Sequence, residues 1–221
     1  MSAAALDFSV IQRALPFLFE GLALSFFLTG VAVLGGMVLG LALAVVRLSR
    51  WKVASILATA YVNGFRAIPL VLVIFWFYFL VPLALGRSVG ALQSVIIAFI
   101  SFEAAYYSEI FRAGLQSIRV GQWQAAYASG LGYFQALRFV ILPQALRKML
   151  PLMITQAVVL FQDTSLVYVI SLRDFMTSVT IVANRDNRLV ETYLFAALVY
   201  FVICATGAAT AKKLGARGRA A

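Results

Sequence analysis

The sequence lacks histidine altogether and contains a single cysteine, Cys204. Without histidine the chain has no imidazole for general-base catalysis or for a zinc site, and one cysteine cannot form an intramolecular disulfide. Cys204 lies in an apolar run, where we expect it to be a small buried hydrophobic residue. We therefore expect neither catalytic residues nor a metal site in this chain.

Charged residues are also scarce, at 12% of the 221 residues, about half the share usual in soluble domains. Hydrophobic residues make up 63%, and the mean hydropathy is +0.97. Several runs exceed the ~18 apolar residues that indicate a membrane span. The sequence predicts an all-α, polytopic membrane helix bundle, one domain over residues 1–221. The five predicted transmembrane helices lie at about 21–46, 70–85, 91–110, 150–171 and 192–211, with a short interfacial helix at 53–65.

The net charge of +10 is explained by membrane orientation. If the C-terminus is cytoplasmic, five arginines and five acidic residues fall outside and cancel. The other thirteen Lys and Arg residues face only Glu103, Glu109 and Asp163, so the inner side carries the whole excess. This distribution follows the positive-inside rule, and nucleic acid is not needed as a partner. We expect a multi-pass protein of the plasma (inner) membrane, with the N-terminus outside and residues 112–148 forming a cytoplasmic loop.

Acidic residues within the spans are candidates for function, because an ionisable group at mid-bilayer costs at least ~2.5–3.5 kcal/mol on insertion scales. Glu109 pairs with Arg112, three residues on, or takes part in transport. Asp163 is the third span-embedded acid, and it stands among Gln162, Thr164 and Ser165. Four consecutive polar side chains cover all faces of a helix. They line a cavity, hydrogen-bond to adjacent helices, or contact another subunit.

The cytoplasmic loop contains a short segment suited to docking. Residues 121–132 read GQWQAAYASGLG, in which glycines bracket the helix formers of Gln122–Ala128. Small alanines permit close contact and Trp123 and Tyr127 supply anchors, which suits a socket in another protein. The alternative is an ordinary connector between spans.

This segment resembles the EAA loop of ABC importer membrane subunits: Glu-Ala-Ala, three residues, Gly, nine residues, Ile, one residue, Leu-Pro. The matching positions are Gln124, Ala125, Ala126, Gly130, Val140, Leu142 and Pro143, with Gln for Glu and Val for Ile. Residues 102–114, 66–70 and 163–166 resemble signatures of the polar amino-acid branch. The departures Ala67-Ile68-Pro69 and Gln162, together with the run 75–78, look most like glutamate/aspartate permease subunits.

The resemblance implies a type I ABC importer permease fold and a role in amino-acid import. Its partners would be a cytoplasmic ABC ATPase dimer, a second permease subunit (identical or paralogous), an extracytoplasmic amino-acid-binding protein and membrane lipid. ATPase coupling would fall to Gly121, Gln124, Ala125, Ala126, Gly130, Leu142 and Pro143. Candidates for the substrate path are Arg66, Glu103, Tyr107, Gln162, Asp163, Thr164 and Ser165. The implied substrate is glutamate or aspartate, with glutamine or a basic amino acid as the alternative.

Energy for such transport must come from the partner. The chain has no GxxxxGK[ST] phosphate loop, so we expect it to bind no cofactor and the partner ATPase to use ATP and Mg. The rival hypotheses are an autonomous secondary carrier or channel and an intramembrane enzyme. A Ser165–Lys148 pair for the latter would be about 25 Å apart along a continuous helix.

Overall fold

The computed structural model describes residues 6–220, with side chains through residue 216. All regular elements in this range are helices, as the composition predicts. The α-helices are α1 Ser9–Arg47, α2 Lys52–Arg66, α3 Leu70–Phe75, α4 Val81–Leu85, α5 Ala91–Gln116, α6 Val120–Ala128, α7 Tyr133–Ala136, α8 Leu142–Asp163, α9 Phe175–Arg185 and α10 Leu189–Ala220. π-helical segments occupy Trp76–Leu80 and Leu137–Ile141, and a 3₁₀ helix occupies Thr164–Ile170.

Four of these helices are long and apolar enough to cross a membrane: Ser9–Arg47, Ala91–Gln116, Tyr133–Ile170 and Leu189–Ala216. A fifth span results if the broken pair Lys52–Arg66 and Leu70–Leu85 is counted as one. Four of the predicted spans lie within these segments (21–46, 70–85, 91–110 and 192–211), and the predicted span 150–171 extends one residue beyond the segment that ends at Ile170. Except for the span 70–85, which coincides with Leu70–Leu85, the helices are longer than the predicted spans. The first begins at Ser9, because backbone hydrogen bonds continue past the charged residues at which a hydropathy profile stops. Its 39 residues extend ~58 Å, which exceeds the ~30 Å hydrocarbon core.

Two prolines account for the π-helical segments. Pro82 and Pro143 each stand two residues after such a segment, Trp76–Leu80 and Leu137–Ile141 respectively. Proline lacks an N–H and its ring collides with the carbonyl four residues back. In both places the amide directly after the segment bonds to the carbonyl five residues back instead. One widened turn therefore lets the chain remain helical through the proline.

The described residues group into two compact units. The first comprises the described part of Met1–Val33 with Ile68–Ile100 and Val159–Thr206. Its core joins the start of α1 to α9 and α10, with Leu18, Phe175, Val179 and Ala196 among its buried members. The second comprises Leu34–Ala67, Ser101–Val158 and the described part of Gly207–Ala221. The single domain over 1–221 stays a prediction.

Within the second unit, glycines set the packing of α1 on α5. A Cβ on Gly36 would lie 2.7 Å from the Cβ of Glu103, and one on Gly40 would lie 2.8 Å from the Cβ of Tyr107. Real Cβ atoms do not approach so closely, so both positions require glycine. The GxxxG spacing therefore marks a true helix contact. The termini at residues 1–5 and 221 lie outside the described residues, and their orientation stays a prediction.

Candidate functional site

The predicted docking helix forms as α6, Val120–Ala128. Gly121, Gln124 and Ala125 are exposed, whereas Ala126 is buried with 4% of its surface accessible. The consecutive alanines thus have different roles within the chain. Ala126 packs against the chain itself, and Ala125 remains available to a partner.

Gly130 ends this helix. Its φ of +79° lies in the left-handed region that side chains with a Cβ avoid. The Gly130 N–H donates to the carbonyl of Tyr127 at 3.0 Å, and the Leu131 N–H donates to that of Ala126 at 3.1 Å. These two bonds define a Schellman motif with glycine at its left-handed position. The glycine six residues after Gln124 is therefore a helix cap.

Aromatic and amide contacts hold α6 in place. The ring of Trp123 stacks on that of Tyr133, with centroids 5.5 Å apart and planes inclined by 16°. The Gln144 side-chain amide donates to the side-chain oxygen of Gln122 at 2.9 Å. Neither contact is predictable from the sequence, because Tyr133 and Gln144 are not recognisable from spacing along one helix. The structure thus joins α6 to α7 and to the first turn of α8.

Leu142 and Pro143 open α8 and are both exposed. Pro143 follows the π-helical segment Leu137–Ile141, so its sequence position sets a local change of helical pitch. The predicted coupling residues therefore fall into two groups. One lies on α6 and its cap, and the other lies at the start of α8, which the Gln144–Gln122 bond links to α6.

An arginine cluster surrounds Glu109. Arg112 forms a hydrogen-bonded ion pair with its carboxylate, which confirms the predicted pairing. Arg47 Nη1 lies 3.0 Å from Glu109 Oε2 and Arg66 Nη1 lies 4.0 Å from it. The Arg66 guanidinium also lies over the ring of Tyr106, 5.6 Å from the centroid. Three arginines share one carboxylate, so the cluster has a net charge of +2 and joins α1, α2 and α5.

Glu103 and Tyr107 lie one turn apart on α5 and are fully buried. The Gln156 side-chain amide donates to Glu103 Oε1 at 3.0 Å. The Tyr107 hydroxyl donates to the carbonyl of Met153 at 3.4 Å. Both bonds link α5 to α8. Gln156 was not among the predicted residues, although a polar side chain in an apolar helix was a usable signal.

The four consecutive polar residues, Gln162 to Ser165, have different environments in the structure. The Thr164 and Ser165 hydroxyls each donate to the carbonyl three residues back, of Phe161 at 2.7 Å and Gln162 at 2.8 Å. Gln162 is exposed and Asp163 is partly buried. Among the described residues, the Asp163 carboxylate has no hydrogen-bond or ion-pair partner. It stands where α8 tightens into a 3₁₀ helix, and it is the ionisable group of this set that remains available to a ligand.

Beyond the spans, Asp174 caps α9. Its carboxylate accepts hydrogen bonds from the N–H groups of Met176 at 3.1 Å and Thr177 at 2.9 Å. Burial raises the pKa of the Asp174 carboxyl and outweighs the lowering effect of these bonds. At the other end of the helix, a hydrogen bond from Arg185 lowers the pKa of Asp186. Among the described residues, no group of His, Cys, Asp and Glu is arranged to hold a metal ion.

Residues 36–218 match the family model of the binding-protein-dependent transport system inner membrane component. The chain belongs to this family. The match includes α6, its Gly130 cap, the Glu109 cluster and Asp163. The predicted family is thereby confirmed, and the all-α bundle is its fold.

Curated relatives extend over nearly the whole chain. The glutamate/aspartate import permease protein GltK of Escherichia coli O6:H1 is 50% identical over 204 residues, which cover 89% of this chain and 91% of the relative. The probable glutamine ABC transporter permease protein GlnP of Bacillus subtilis is 34% identical, with 93% and 95% covered. The resemblance to glutamate/aspartate permease subunits noted in the sequence is confirmed.

Solved structures agree on the architecture. A crystal structure of an amino-acid ABC transporter with histidines superposes with a TM-score of 0.89 at 28% identity, covering 97% of this chain and 100% of the other. The MetNI methionine ABC transporter in an inward-facing conformation gives 0.71 at 19% identity, with 91% and 98% covered. The chain therefore has the helix arrangement of an ABC importer permease.

Proposed function

We propose that this chain is the permease subunit of an ATP-driven importer that carries glutamate and aspartate across the plasma membrane. The observation that carries the proposal is the 50% identity to the glutamate/aspartate import permease protein GltK over 89% of this chain. The N-terminus lies outside and the C-terminus in the cytoplasm, as the charge distribution indicates. The membrane supplies lipid, and nucleic acid has no part.

Transport and ATP hydrolysis belong to different subunits, and the exposed residues of α6 are the contact between them. The chain is non-catalytic, and two cytoplasmic ATPase subunits bind and hydrolyse ATP with Mg. The exposed Gln124 and Ala125 of α6 enter a socket on the ATPase, with Gly130 fixing the end of the helix. An extracytoplasmic binding protein delivers the amino acid, and a second permease subunit completes the path. ATPase closure moves α6, and the Gln144–Gln122 bond carries the movement to α8.

The charges of an acidic amino acid limit its contacts. Its ammonium requires a hydrogen-bond acceptor, and the Asp163 carboxylate has no partner among the described residues. Its two carboxylates require cations. Of the three arginines around Glu109, Arg66 lies farthest from the carboxylate, at 4.0 Å, so Arg66 is a candidate contact at another point of the substrate path. Glu103 and Tyr107 are buried in this structure, so a direct contact with substrate would require α5 and α8 to separate. Gln162, Thr164 and Ser165 stay candidates through their position beside Asp163.

Uptake by the purified complex tests the substrate. The permease is reconstituted with its ATPase and binding protein, and uptake of labelled glutamate is challenged with aspartate, glutamine and arginine. We expect aspartate to compete strongly and glutamine and arginine weakly. Stronger competition by glutamine would favour the function named for the 34% identical relative. Flux without ATPase and binding protein would instead support an autonomous carrier.

The docking role has a separate test. Ala125→Asp places a charge on the exposed side of α6 and is expected to abolish co-purification of the ATPase while membrane insertion persists. Ala125→Ser, which keeps this exposed position small and uncharged, is the matched control for substitution at the site. Normal uptake by the Ala125→Asp complex would count against the docking role.

A further inference from the structure

A cavity of about 560 Å³ lies among residues 77–97 of the first unit. Its volume falls within the roughly 300–1,000 Å³ typical of ligand pockets. Phe77, Val81 and Leu85 recur every four residues and form an apolar wall. Arg87 and Ser94 supply polar groups.

The backbone fixes Arg87 beside this cavity. Gly86 ends α4 with a φ of +64°, in the left-handed region. Its N–H donates to the carbonyl of Leu83 at 3.4 Å, and the Arg87 N–H donates to that of Pro82 at 3.3 Å. This is a second Schellman motif, like that at Gly130. The position of Arg87 is therefore set by the helix end.

Two polar groups at the cavity lack partners within the described residues. The Arg87 guanidinium makes no hydrogen bond or ion pair with any of them. The Ser94 side chain is 99% buried, with 1% accessible, and its hydroxyl has no hydrogen-bond partner among them. A buried hydroxyl without a partner costs free energy. Both groups are hydrogen-bond donors, the kind of group that an anionic ligand requires.

The start of α5 adds positive potential at the same place. This 26-residue helix begins at Ala91 and has no acidic residue in its first turn. Its first amides have no intrahelical acceptor, and the helix dipole makes this end electropositive. With Arg87, the polar end of the cavity attracts an anion.

We propose that this cavity binds an anionic phospholipid, with its phosphate on Arg87 and Ser94 and an acyl chain along Phe77, Val81 and Leu85. Six of the ten lining residues are apolar, so a free phosphate or carboxylate would leave most of the wall uncovered. A phospholipid covers both the polar end of the cavity and its apolar wall. Arg87 brings an uncompensated positive charge, so a net negative headgroup fits better than a zwitterionic one. In the proposed orientation this is a lipid of the outer leaflet.

Native mass spectrometry of the complete importer tests this inference. The complex is released from nanodiscs that contain phosphatidylglycerol and phosphatidylethanolamine, and the retained lipids are counted. Arg87→Gln is expected to lower retained phosphatidylglycerol about fivefold, the effect of one arginine at an anionic surface, and to leave phosphatidylethanolamine unchanged. Ser94→Ala is expected to lower it less, because the guanidinium remains.

Arg185→Gln is the matched control, because Arg185 is exposed, belongs to the same unit and is already paired with Asp186. It is expected to retain lipid like the wild type. Unchanged phosphatidylglycerol in Arg87→Gln would overturn the proposal, and so would displacement of the lipid by inorganic phosphate or glutamate at millimolar concentration. Co-purification of the ATPase with each variant shows that the complex is intact, so lipid loss can be assigned to the cavity.

Discussion

Replacing Gly130 by alanine tests whether this glycine serves as a helix cap or as a contact surface. Apart from the adjoining residues, no heavy atom lies within 4 Å of the position that a Cβ would take, so steric collision inside the chain is not the cost. The cost arises from the backbone, because alanine must adopt the φ of +79°. Both N–H groups of the Schellman motif depend on that conformation.

The magnitude follows from two opposing effects. Left-handed backbone costs an L-residue about 1–2 kcal/mol. Alanine also lowers the entropy of the unfolded chain, which returns about 0.4–1 kcal/mol. The remainder is roughly 1 kcal/mol, or about a fivefold loss in the population of the capped helix end. We therefore expect Gly130→Ala to lower coupled uptake several-fold without blocking membrane insertion.

Two variants separate backbone strain from other effects. Gly130→Asn adds a larger side chain, but asparagine tolerates the left-handed region, so we expect activity near that of the wild type. Gly132→Ala alters a second exposed glycine of the same segment, which lies outside the coupling set, has a φ of −71° and would bring a Cβ no closer than 3.7 Å to Gln135 Oε1. It is expected to have little effect. Hydrogen exchange at the amides of Gly130 and Leu131 should quicken in Gly130→Ala alone.

The relative uptake of Gly130→Ala and Gly130→Asn distinguishes a helix cap from a contact surface. If Gly130→Asn impairs uptake as much as Gly130→Ala, the glycine is needed because a partner approaches it closely. If both variants match the wild type in uptake and hydrogen exchange, the cap is not needed for coupling, and the reasoning from φ is refuted.

Further substitutions address the spans. Gly40→Ala is expected to lower the free energy of unfolding by about 1–3 kcal/mol through overpacking against Tyr107. Gly30→Ala is the control, because a Cβ there has no neighbour within 4 Å. Equal melting temperatures of the two variants would contradict the close contact at Gly40. Glu109→Gln should cost about 1.5–3 kcal/mol in unfolding free energy, because it removes the carboxylate shared by three arginines; an unchanged value would mean that the cluster is not stabilising. Asp163→Asn should reduce uptake at least tenfold with the complex intact, and normal uptake would assign that residue to packing.

Helix α6 shows which features of the structure the sequence predicts and which it does not. Small residues and bracketing glycines predict a helix at Gln122–Ala128, because both are local signals. The different burial of Ala125 and Ala126 could not be predicted, because it depends on which face meets the rest of the chain. The stack of Trp123 on Tyr133 was missed for the same reason.

For the polar residues in the spans, too, local features are predictable and contacts between helices are not. Insertion cost alone identifies Glu103, Glu109 and Asp163 as residues that need an explanation. Glu109–Arg112 was predictable, since residues three apart on a helix are neighbours. The contact of Glu109 with Arg47, and that of Glu103 with Gln156, join residues more than 50 positions apart. Such pairs depend on how the helices pack, which one sequence does not specify.

By itself the sequence determined the membrane class, the approximate spans, the expected orientation and the family, because hydropathy, charge and motif spacing are properties of the chain in order. The GxxxG pair Gly36/Gly40 was visible but had no known partner. Tertiary structure alone decided that these glycines pack on Glu103 and Tyr107, that Asp163 remains without a partner among the described residues, and that Arg87 stands at a cavity. Each of these three features depends on atoms that come together only when separate helices pack. The same packing leaves the Arg87 cation and the Asp163 carboxylate without a partner among the described residues, and therefore available to a ligand.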